Sequence, residues 1–389
     1  MRFFGITMNS DRIGAPGTGI SRRDFLKATG ATGAVAVAGC MQAPMAQQAS
    51  SNGAALSTQA ADLPLTGPPE VVDLDELGGE VTLRTVHARH EVHPGEAMNG
   101  PITLPVVWAF QANDGTPSVP GPVLRCTEGT ELKITLDNSD SMHPHTLHFH
   151  GVRKSWMNDG VPTTTGITVM PGEKHTYTVP ANVAGTHLYH CHFNTPFHMD
   201  MGMYGILRVD PVGYEEADKE YFMTVKEWDS RLSRQYGGEN VKYSLTDRMG
   251  DVFTINGRSA PYTLHPEMGS PVIVDSGDTV RIHLVNAGFM SHPIHTHNHR
   301  FKIVEKDGSP MPEPLQYLQD VVNIGPAERY TIEFVADADP GIYPMHCHKV
   351  DHVRNGNSYP GGMFTATVYT EAMDSDIFRK VMDYAGYEL

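Results

Sequence analysis

The stretch Glu128–Asn138 (EGTELKITLDN) decides the fold, because a glycine turn leads into a run in which apolar and polar residues alternate. The stretch Ser276–Asn286 (SGDTVRIHLVN) repeats that pattern about 150 residues later. Alternation with a period of two is typical of a strand that buries one face. The spacing of the two stretches therefore predicts two copies of one domain.

The sequence around these two stretches repeats as well. A short apolar segment precedes each one, Pro122–Arg125 in the first copy and Pro271–Val274 in the second. A proline-containing turn follows, at Pro171–Glu173 and at Gly325–Glu328, and leads into another alternating strand. Short strands with frequent turns and few helical patterns predict an all-β fold of two Greek-key β-sandwiches.

The repeat sets the domain boundaries that we predict. The first domain covers residues 67–212 and the second covers residues 213–370, with a linker near Pro211–Lys219. Residues 371–389 follow as a C-terminal tail with an amphipathic, helical pattern.

Composition narrows the range of functions. The chain has 389 residues, of which 40% are hydrophobic, and a formal net charge of −16. This length is enough for two or three domains, and the apolar runs are too short to cross a membrane. The negative charge argues against nucleic acid as a partner and favours small neutral reductants or a cationic redox protein.

The N-terminal segment resembles an export signal. Ser21–Lys27 (SRRDFLK) is similar to the twin-arginine signal, and the weakly apolar stretch Ala28–Gly39 follows it. We therefore predict a signal peptide at residues 1–40 and export to the periplasm or the cell exterior. Val37–Cys40 also resembles a lipoprotein cleavage box, which makes Cys40 a candidate for lipidation and membrane anchoring. Residues 41–66 are rich in Ala, Gln, Ser and Gly, which predicts a flexible tether.

Histidine and cysteine are distributed unevenly. Fifteen of the 21 histidines lie in four short segments, at residues 143–150, 187–198, 292–299 and 346–352. The four cysteines are Cys40, Cys126, Cys191 and Cys347, and the last two each stand between two histidines. A disulfide framework is one interpretation for an exported chain. The flanking histidines favour a metal thiolate instead.

Both copies share one order of motifs: His-x-x-His-x-His, His-Cys-His, a further His and Gly-Met. The first copy provides His145, His148, His150, His190, Cys191, His192, His198 and Met203. The second copy provides His292, His295, His297, His346, Cys347, His348, His352 and Met363. The segment from His352 to Met363 is longer than the one from His198 to Met203, which is a departure from the shared spacing.

Strand alternation converts this spacing into two faces. His148 and His150 lie two residues apart and point to one face, whereas His145 points to the other. Cys191 likewise points away from its two flanking histidines. One face gathers two histidines, a cysteine and a methionine, which is the ligand set of a blue (type 1) copper site. The other face gathers four histidines, which need a partner because burying them unpaired is costly.

The four outward histidines of each copy predict a second kind of metal site. Structural zinc is an alternative for a His-Cys-His motif, but zinc seldom takes methionine and the chain has few cysteines. Eight histidines from two facing domains match a three-copper cluster better. The thiolate of the type 1 site is then joined through the chain to histidines of that cluster.

From Pro122 to Val368 the chain resembles the multicopper oxidase superfamily of cupredoxin repeats. Within that superfamily it is similar to the two-domain, laccase-like branch, which is related to copper nitrite reductases. The two His-Cys-His segments are the most specific of the shared motifs. The resemblance implies a homotrimer in which the first domain of one subunit meets the second domain of the next. It also implies type 1 copper in each domain, with one type 2 copper and a type 3 pair at each interface.

The resemblance assigns individual ligands. The type 2 copper takes His148 and His295. One type 3 copper takes His150, His190 and His348, and the other takes His192, His297 and His346. The type 1 coppers take His145, Cys191, His198 and Met203 in the first domain, and His292, Cys347, His352 and Met363 in the second.

Asn158–Pro162 (NDGVP) is similar to the family's Asp-Gly segment near the type 2 copper, where the aspartate relays protons. Asp159 is therefore our candidate for a catalytic proton relay. The other interpretation is a turn residue, since Asp-Gly is typical of turns.

Several residues near the motifs have less specific predictions. His143, His187 and His299 are interpreted as neighbours of the ligands or as exposed residues. His87, His90 and His93 are predicted to lie on the surface. Met199, Met201 and Met203 form either a soft patch that receives Cu(I) or part of the core. Cys126 is predicted to be a buried small hydrophobe.

We expect a copper oxidase that takes one electron at a time at type 1 copper and reduces O2 to water at the cluster. The reductant is a phenol, a metal ion such as Cu(I), or an electron-carrier protein. A copper nitrite reductase is an alternative, although an acid stands in that family where this chain has His148. A copper-binding or electron-transfer protein with an empty cluster is a non-enzymatic alternative.

Overall fold

The computed structural model describes residues 61–62, 68–93, 102–356 and 359–384. The predicted signal peptide, Cys40 and nearly all of the tether lie outside these residues. In chain order the strands are β1 (Ala61–Asp62), β2 (Val71–Asp73), β3 (Glu80–His93), β4 (Ile102–Ala112), β5 (Val123–Thr127), β6 (Glu131–Asp137), β7 (His148–Phe149), β8 (Lys174–Pro180), β9 (Gly185–His190), β10 (Tyr204–Asp210), β11 (Lys219–Trp228), β12 (Val252–Ile255), β13 (Val272–Val274), β14 (Thr279–Asn286), β15 (His292–Thr296), β16 (Lys302–Lys306), β17 (Ser309–Pro310), β18 (Val321–Ile324), β19 (Arg329–Val335), β20 (Ile342–Cys347) and β21 (Phe364–Tyr369). The α-helices are α1 (Pro162–Thr165), α2 (Thr195–Asp200), α3 (Ser230–Tyr236), α4 (Thr370–Met373) and α5 (Asp376–Tyr384). Short 3-10 helices span Trp156–Asn158, Leu245–Asp247, Tyr262–Leu264, Glu313–Leu315 and Val350–Val353.

The strands form four sheets, two from each half of the chain. In the first half, β1, β3, β4, β6 and β8 form one sheet, and β2, β5, β10, β9 and β7 form the other. In the second half, β12, β11, β14, β19, β16 and β17 form one sheet, and β13, β21, β20, β15 and β18 form the other. The fold is mostly β, as the sequence predicts.

Corresponding strands of the two halves pair in the same way. β6 pairs in parallel with β3 and antiparallel with β8, just as β14 pairs in parallel with β11 and antiparallel with β19. β10 pairs in parallel with β5 and antiparallel with β9, just as β21 pairs in parallel with β13 and antiparallel with β20. The sequence repeat is therefore a repeat of strand topology.

The stretches that open the sequence argument form β6 and β14. Leu132, Ile134 and Leu136 on β6 are fully buried, while the residues between them face outward. On β14 the intervening His283 is buried as well, because the first half covers it. Its Nδ1 lies 2.9 Å from Oγ1 of Thr186. The alternating pattern thus breaks where the two halves meet.

The two halves share buried apolar and charged contacts. Ala88 and Leu104 from the first half pack in one cluster with Phe222 from the second. Arg208 Nη1 donates to Oε2 of Glu305 across the same boundary, at 2.8 Å. Ala88 lies on β3, so part of this strand is buried against the second half.

The prediction that His87, His90 and His93 lie on the surface is wrong. His90 and His93 are buried, and His87 is partly buried. His90 Nε2 lies 2.7 Å from the carbonyl oxygen of Gly257 in the second half. Polar residues of β3 are buried because the second half packs over the strand.

A segment of the second half, residues 229–250, lies against the first half. Leu232 of α3 is buried in the first core, and Tyr236 meets the Trp108 ring edge-on at 5.7 Å. The Tyr243 hydroxyl donates to Oδ2 of Asp200 at 2.9 Å. This segment covers the end of the first sandwich that holds the first candidate metal centre.

The described part of the tail, which ends at residue 384, contains two helices, as its pattern predicts, and it packs on its own chain. Phe378 and Met382 of α5 are buried against Leu264, Ala366 and Val368. Within the described ranges, no helix combines the length and apolar character needed to cross a membrane.

Candidate metal centres

Cys191 lies at the centre of a buried three-residue group in the first half. It follows β9 directly, while His145 stands in a loop that bridges to Val169 and His198 lies on α2. Cys191 Sγ is 3.1 Å from Nδ1 of His198 and 3.8 Å from Nδ1 of His145. The two Nδ1 atoms are 3.2 Å apart. One sulfur and two imidazole nitrogens therefore converge on one point, away from water.

Cys347 forms the matching group in the second half. It ends β20, while His292 begins β15 and His352 lies on a 3-10 helix. Cys347 Sγ is 3.6 Å from Nδ1 of His352 and 3.8 Å from Nδ1 of His292. The two Nδ1 atoms are 3.1 Å apart, and all three residues are buried. The geometry of the first group is thus reproduced.

Met203 and Met363 occupy the same backbone position in the two groups. The amide of Cys191 donates to the Met203 carbonyl at 3.1 Å, and the amide of Cys347 donates to the Met363 carbonyl at 3.1 Å. Both methionines are fully buried. The longer segment after His352 therefore returns to the same place, and the departure in spacing does not displace Met363.

The other motif histidines of the first half form a second group, on the outer side of Cys191. His150 Nε2 and His190 Nε2 lie 3.0 Å apart. The His148 ring centroid lies 5.3 Å from that of His190 and 5.2 Å from that of His192. Strand alternation predicts this separation of Cys191 from its neighbours.

The second half has the corresponding set. His297 Nε2 and His346 Nε2 lie 3.1 Å apart. The His295 ring centroid lies 5.6 Å from that of His346 and 5.5 Å from that of His348. Among the described histidines, ring contacts and hydrogen bonds join members of one set and none joins the two sets. Each chain therefore contains two separate sets of four imidazoles, one in each half.

Backbone carbonyls fix how four of these imidazoles are oriented. His148 Nδ1 donates to the Asp159 carbonyl and His295 Nδ1 to the Asp320 carbonyl, each at 2.8 Å. In the same way, Nδ1 of His190 and of His346 donate to the carbonyl of the following cysteine, at 2.9 and 3.0 Å. A carbonyl can only accept, so each Nδ1 carries the proton and each Nε2 offers its lone pair.

Burial favours the neutral form of three candidate ligands, His150, His190 and His198. Burial, with the neighbouring His190, lowers the pKa of His150 to about 2. Burial also lowers the pKa of His190 and of His198 to about 3. Neutral imidazole is the form that binds metal ions, so these three residues are ready to bind at neutral pH.

Asp159 lies beside His148, as the sequence predicts. Its Oδ1 is 3.3 Å from His148 Nδ1 and 3.0 Å from the ammonium of Lys154. Burial alone would raise the pKa of Asp159, but the hydrogen bond from Lys154 and the nearby His148 hold it below its ordinary value. The carboxylate is therefore ionised and about one third exposed, at 36%.

The two cysteine groups differ in the partner of their first histidine. His145 Nε2 lies 2.9 Å from the hydroxyl of Ser141, whereas His292 Nε2 lies 2.6 Å from Oε2 of Glu227. Burial alone would raise the pKa of Glu227, but the hydrogen bond from His292 and the charge of Lys226 hold it below its ordinary value. The sequence argument missed Glu227. The available signal was a pair of adjacent charges, Lys226 and Glu227, inside an apolar strand.

The first cysteine group also has an aromatic cover that the sequence argument missed. Trp108 meets His198 edge-on at 4.8 Å and lies 4.6 Å from the ring of His143. The second group has Phe253 stacked on His352 at 4.2 Å. His143 therefore contacts the aromatic cover of a candidate ligand.

The remaining predictions concern Cys126, the methionines that follow His198, and two further histidines. Cys126 is 2% exposed in the first core, which confirms its interpretation as a small hydrophobe. Met201 and Met203 are also buried, and Met199 is partly buried against the apolar cluster shared by the two halves, so the structure favours the interpretation as core residues. His187 and His299 are buried, and His187 Nε2 donates to the Val183 carbonyl, outside the two kinds of group. His299 Nε2 lies 2.9 Å from the Tyr369 hydroxyl, and its Nδ1 lies 3.1 Å from the carbonyl oxygen of His297, which makes it a neighbour of the second histidine set.

The donor atoms of the groups fit copper. A thiol, two Nδ1 atoms and a nearby methionine are the soft, mixed donors of a type 1 site, and sets of imidazole Nε2 atoms suit further copper ions. Zinc in a structural site prefers four thiolate or imidazole donors. Within the described residues, the three cysteines form no disulfide, which excludes a framework among Cys126, Cys191 and Cys347.

Comparison with known families and structures agrees with this assignment. Two models described as multicopper oxidase match residues 111–213 and 239–359, and a twin-arginine signal model matches residues 19–39. The crystal structure of a blue copper oxidase from Nitrosomonas europaea is 31% identical, with a TM-score of 0.64 over 76% of this chain and 87% of that one. A copper nitrite reductase from the same organism is 25% identical, with a TM-score of 0.58 over 79% and 96%.

Curated relatives are more distant and longer. Laccase-3 of Botryotinia fuckeliana is 26% identical over 69% of this chain and 59% of its own length. The chain spans less than two thirds of the length of the curated relatives it matches. The two family models, the blue copper oxidase structure and the paired cysteine groups lead to one conclusion: the chain belongs to the multicopper oxidase family.

Proposed function

We propose that this protein is an oxygen-reducing copper oxidase with type 1 copper in each of two cupredoxin-like Greek-key domains, at residues 67–212 and 213–370. The observation that carries the proposal is the duplication of both kinds of group. A lone cysteine group would serve electron transfer, and the two sets of imidazoles add the donors for a cluster that binds oxygen. When bound, copper supplies one-electron transfer at the cysteine groups and oxygen reduction at the cluster.

The histidine sets support the assignment of individual cluster ligands. His150 and His190 share a metal-binding point, and His297 and His346 share the equivalent one, because their Nε2 atoms lie 3.0 and 3.1 Å apart. Each pair provides two ligands of one type 3 copper. His348 completes the first of these sites.

The remaining ligands complete the cluster. His192 joins the pair formed by His297 and His346. His148 and His295 hold the type 2 copper, and both are oriented by a hydrogen bond to an aspartate carbonyl. Every type 3 site therefore combines histidines from both domains.

A second copy of the chain is needed to bring the sets together. Among the described residues, no contact joins the two sets within one chain, while exposed apolar side chains flank each of them. Those beside Asp159 are Trp156 and Met157, and those leading to Asp320 are Leu315, Tyr317 and Leu318. Exposed apolar patches of this kind mark protein interfaces. We propose a homotrimer, closed head to tail, with one cluster at each interface.

Asp159 is the proposed proton relay. Its carboxylate is ionised, partly exposed and 3.3 Å from the ring of His148, a proposed type 2 ligand. It can accept a proton from water and pass it toward the cluster, and Lys154 holds it in place at 3.0 Å. The reductants that we propose are phenols, metal ions such as Cu(I), or an electron-carrier protein of the cupredoxin type. Their electrons enter at the cysteine groups.

The deciding experiment is metal analysis with oxygen uptake. We expect about five coppers per chain, a blue absorption band, a type 3 pair that gives no EPR signal, and uptake of O2 with a general reductant. Sedimentation should show a trimer. About two coppers per chain with nitrite turnover would identify a nitrite reductase. The similarity to a copper nitrite reductase structure at 25% identity is the observation that favours this alternative. Blue protein without oxygen uptake would identify an electron-transfer protein.

The twin-arginine match supports export. We propose a periplasmic or extracellular protein that Cys40 anchors to the membrane by a lipid. Mass spectrometry of the mature N-terminus tests this directly, because a lipidated Cys40 would be its first residue.

A further inference from the structure

Glu227 is a buried carboxylate that contacts the second cysteine group, and among the residues that the structure describes it has no counterpart at the first. Its Oε2 lies 2.6 Å from Nε2 of His292, and both side chains are fully buried. The amides of Phe289 and Met290 donate to its Oε1. In the first group the same nitrogen of His145 meets the neutral hydroxyl of Ser141. Two sites with one ligand geometry therefore have different charges behind them.

Two backbone amides donate to one oxygen of Glu227 and His292 faces the other, and donors of this kind favour the carboxylate over the neutral acid. Lys226 is buried next to it, and Lys226 Nζ lies 3.5 Å from Oδ1 of Asp200, which also accepts from Arg248 at 2.7 Å. The Arg248 guanidinium lies 3.8 Å from the ring centroid of Phe289. Since a carboxylate accepts and does not donate, Nε2 of His292 carries the proton and Nδ1 is left for the metal.

We propose that Glu227 is a positioning residue that fixes His292 toward Cys347 and makes the copper of the second domain harder to reduce than the copper of the first. A carboxylate behind a ligating imidazole makes it a stronger donor, and a stronger donor stabilises Cu(II) over Cu(I). A hydroxyl, as at Ser141, does so less. The inference rests on the proposed copper sites.

The two copper sites then have different roles in receiving electrons and passing them on. The copper of the first domain has the greater driving force for taking electrons from weak reductants. The copper of the second domain has the greater driving force for passing electrons on to the cluster. A chain with two such sites accepts a wider range of reductants than a chain with two equal ones.

A redox titration of the blue band tests this. In a Cys191→Ser protein, the second domain holds the remaining blue copper. Adding Glu227→Gln is expected to raise the equilibrium constant for reduction by about tenfold, a rise of about 59 mV in potential. In the matched control, a Cys347→Ser protein, Ser141→Ala is expected to change that constant less than about threefold. An unchanged or lowered potential for Glu227→Gln, with the blue band intact, would overturn the proposal.

A second measurement decides the matter if Glu227→Gln loses its copper. The Cys191→Ser and Cys347→Ser proteins, both with Glu227 in place, are titrated side by side. The Cys191→Ser protein should have the lower potential, and an equal or higher one would overturn the inference. Failure of the proposed oxidase function looks different: the copper-loaded wild-type protein would take up no oxygen while both blue coppers titrate normally.

Discussion

The two cysteine groups have nearly the same ligand geometry and different surroundings. Their Nδ1 atoms lie 3.2 and 3.1 Å apart, and in both the cysteine amide donates to the methionine carbonyl. Around the first group lie Ser141 and the aromatic cover of Trp108. Around the second lie Glu227 and Phe253. The candidate ligands repeat between the two halves, and the residues behind them differ.

The comparison indicates which residues control the redox properties of such a site. A metal's ligands set which ion binds, and the residues behind the ligands set how readily it takes an electron. Some of the residues behind the candidate ligands come from the other half of the chain, because Tyr236 of the second half packs on Trp108 of the first. A domain copy cannot be judged by its motif alone.

The largest expected effect comes from breaking both groups at once. Cys191→Ser with Cys347→Ser should abolish the blue band and reductant-driven oxygen uptake, because a hydroxyl does not replace the thiolate ligand that receives electrons. Each single variant should keep one blue copper and measurable uptake. Visible spectra and an oxygen electrode check this. Full uptake by the double variant would show that electrons reach the cluster without these groups.

A second test compares the two aspartates whose backbone carbonyls orient His148 and His295. Asp159→Asn should slow turnover by about a hundredfold, the scale of a lost proton relay, with copper content unchanged. Asp320→Asn is the matched control, because Asp320 orients His295 through its backbone carbonyl and its side chain is exposed. Steady-state rates of oxygen uptake, measured across pH, compare the two variants. Equal losses from the two variants would argue against a relay at Asp159.

A third test sharpens the comparison through acid stability of the copper-free protein. Burial lowers the pKa of His190 and of His198 to about 3 and of His352 to about 4, all below the unfolded value of 6.5. The unfolded chain therefore binds more protons between those values, and stability should fall as pH drops from about 6.5 toward 3.

Thermal unfolding at several pH values measures this loss, which should be at least several kcal/mol across the range. His190→Gln should reduce the pH dependence more than His346→Gln, because His190 is buried and His346 is only partly so. A flat profile in wild-type protein would contradict the assignment of neutral, buried imidazoles.

The smallest effect is expected at the third described cysteine. Cys126 is buried in the first core, where burial with nearby carboxylates raises the pKa of its thiol to about 12. Cys126→Ala should cost about 1 kcal/mol of unfolding free energy and leave copper content and both blue bands unchanged. Chemical denaturation and metal analysis check this, and a lost copper would show that the cysteines are not divided as described.

The sequence predicted most of the site because its signals are local. The alternation around His148 and Cys191 separates the two faces of a strand, and the structure keeps that separation. The surface prediction for His90 was wrong for the opposite reason, since that residue is buried by the Gly257 turn, far along the chain. Glu227 was missed because a strand carboxylate has no motif and gains meaning from the histidine it meets.

By itself, the sequence determined the repeated β-structure, the two kinds of candidate metal group and the division of each His-Cys-His between them, because these follow from residue type and a period of two. Only the tertiary structure decided that Met363 returns to the position of Met203, that residues 229–250 cover the first group, and that Glu227 stands behind His292. Those facts depend on distant segments meeting, and local pattern carries no information about which segments will meet.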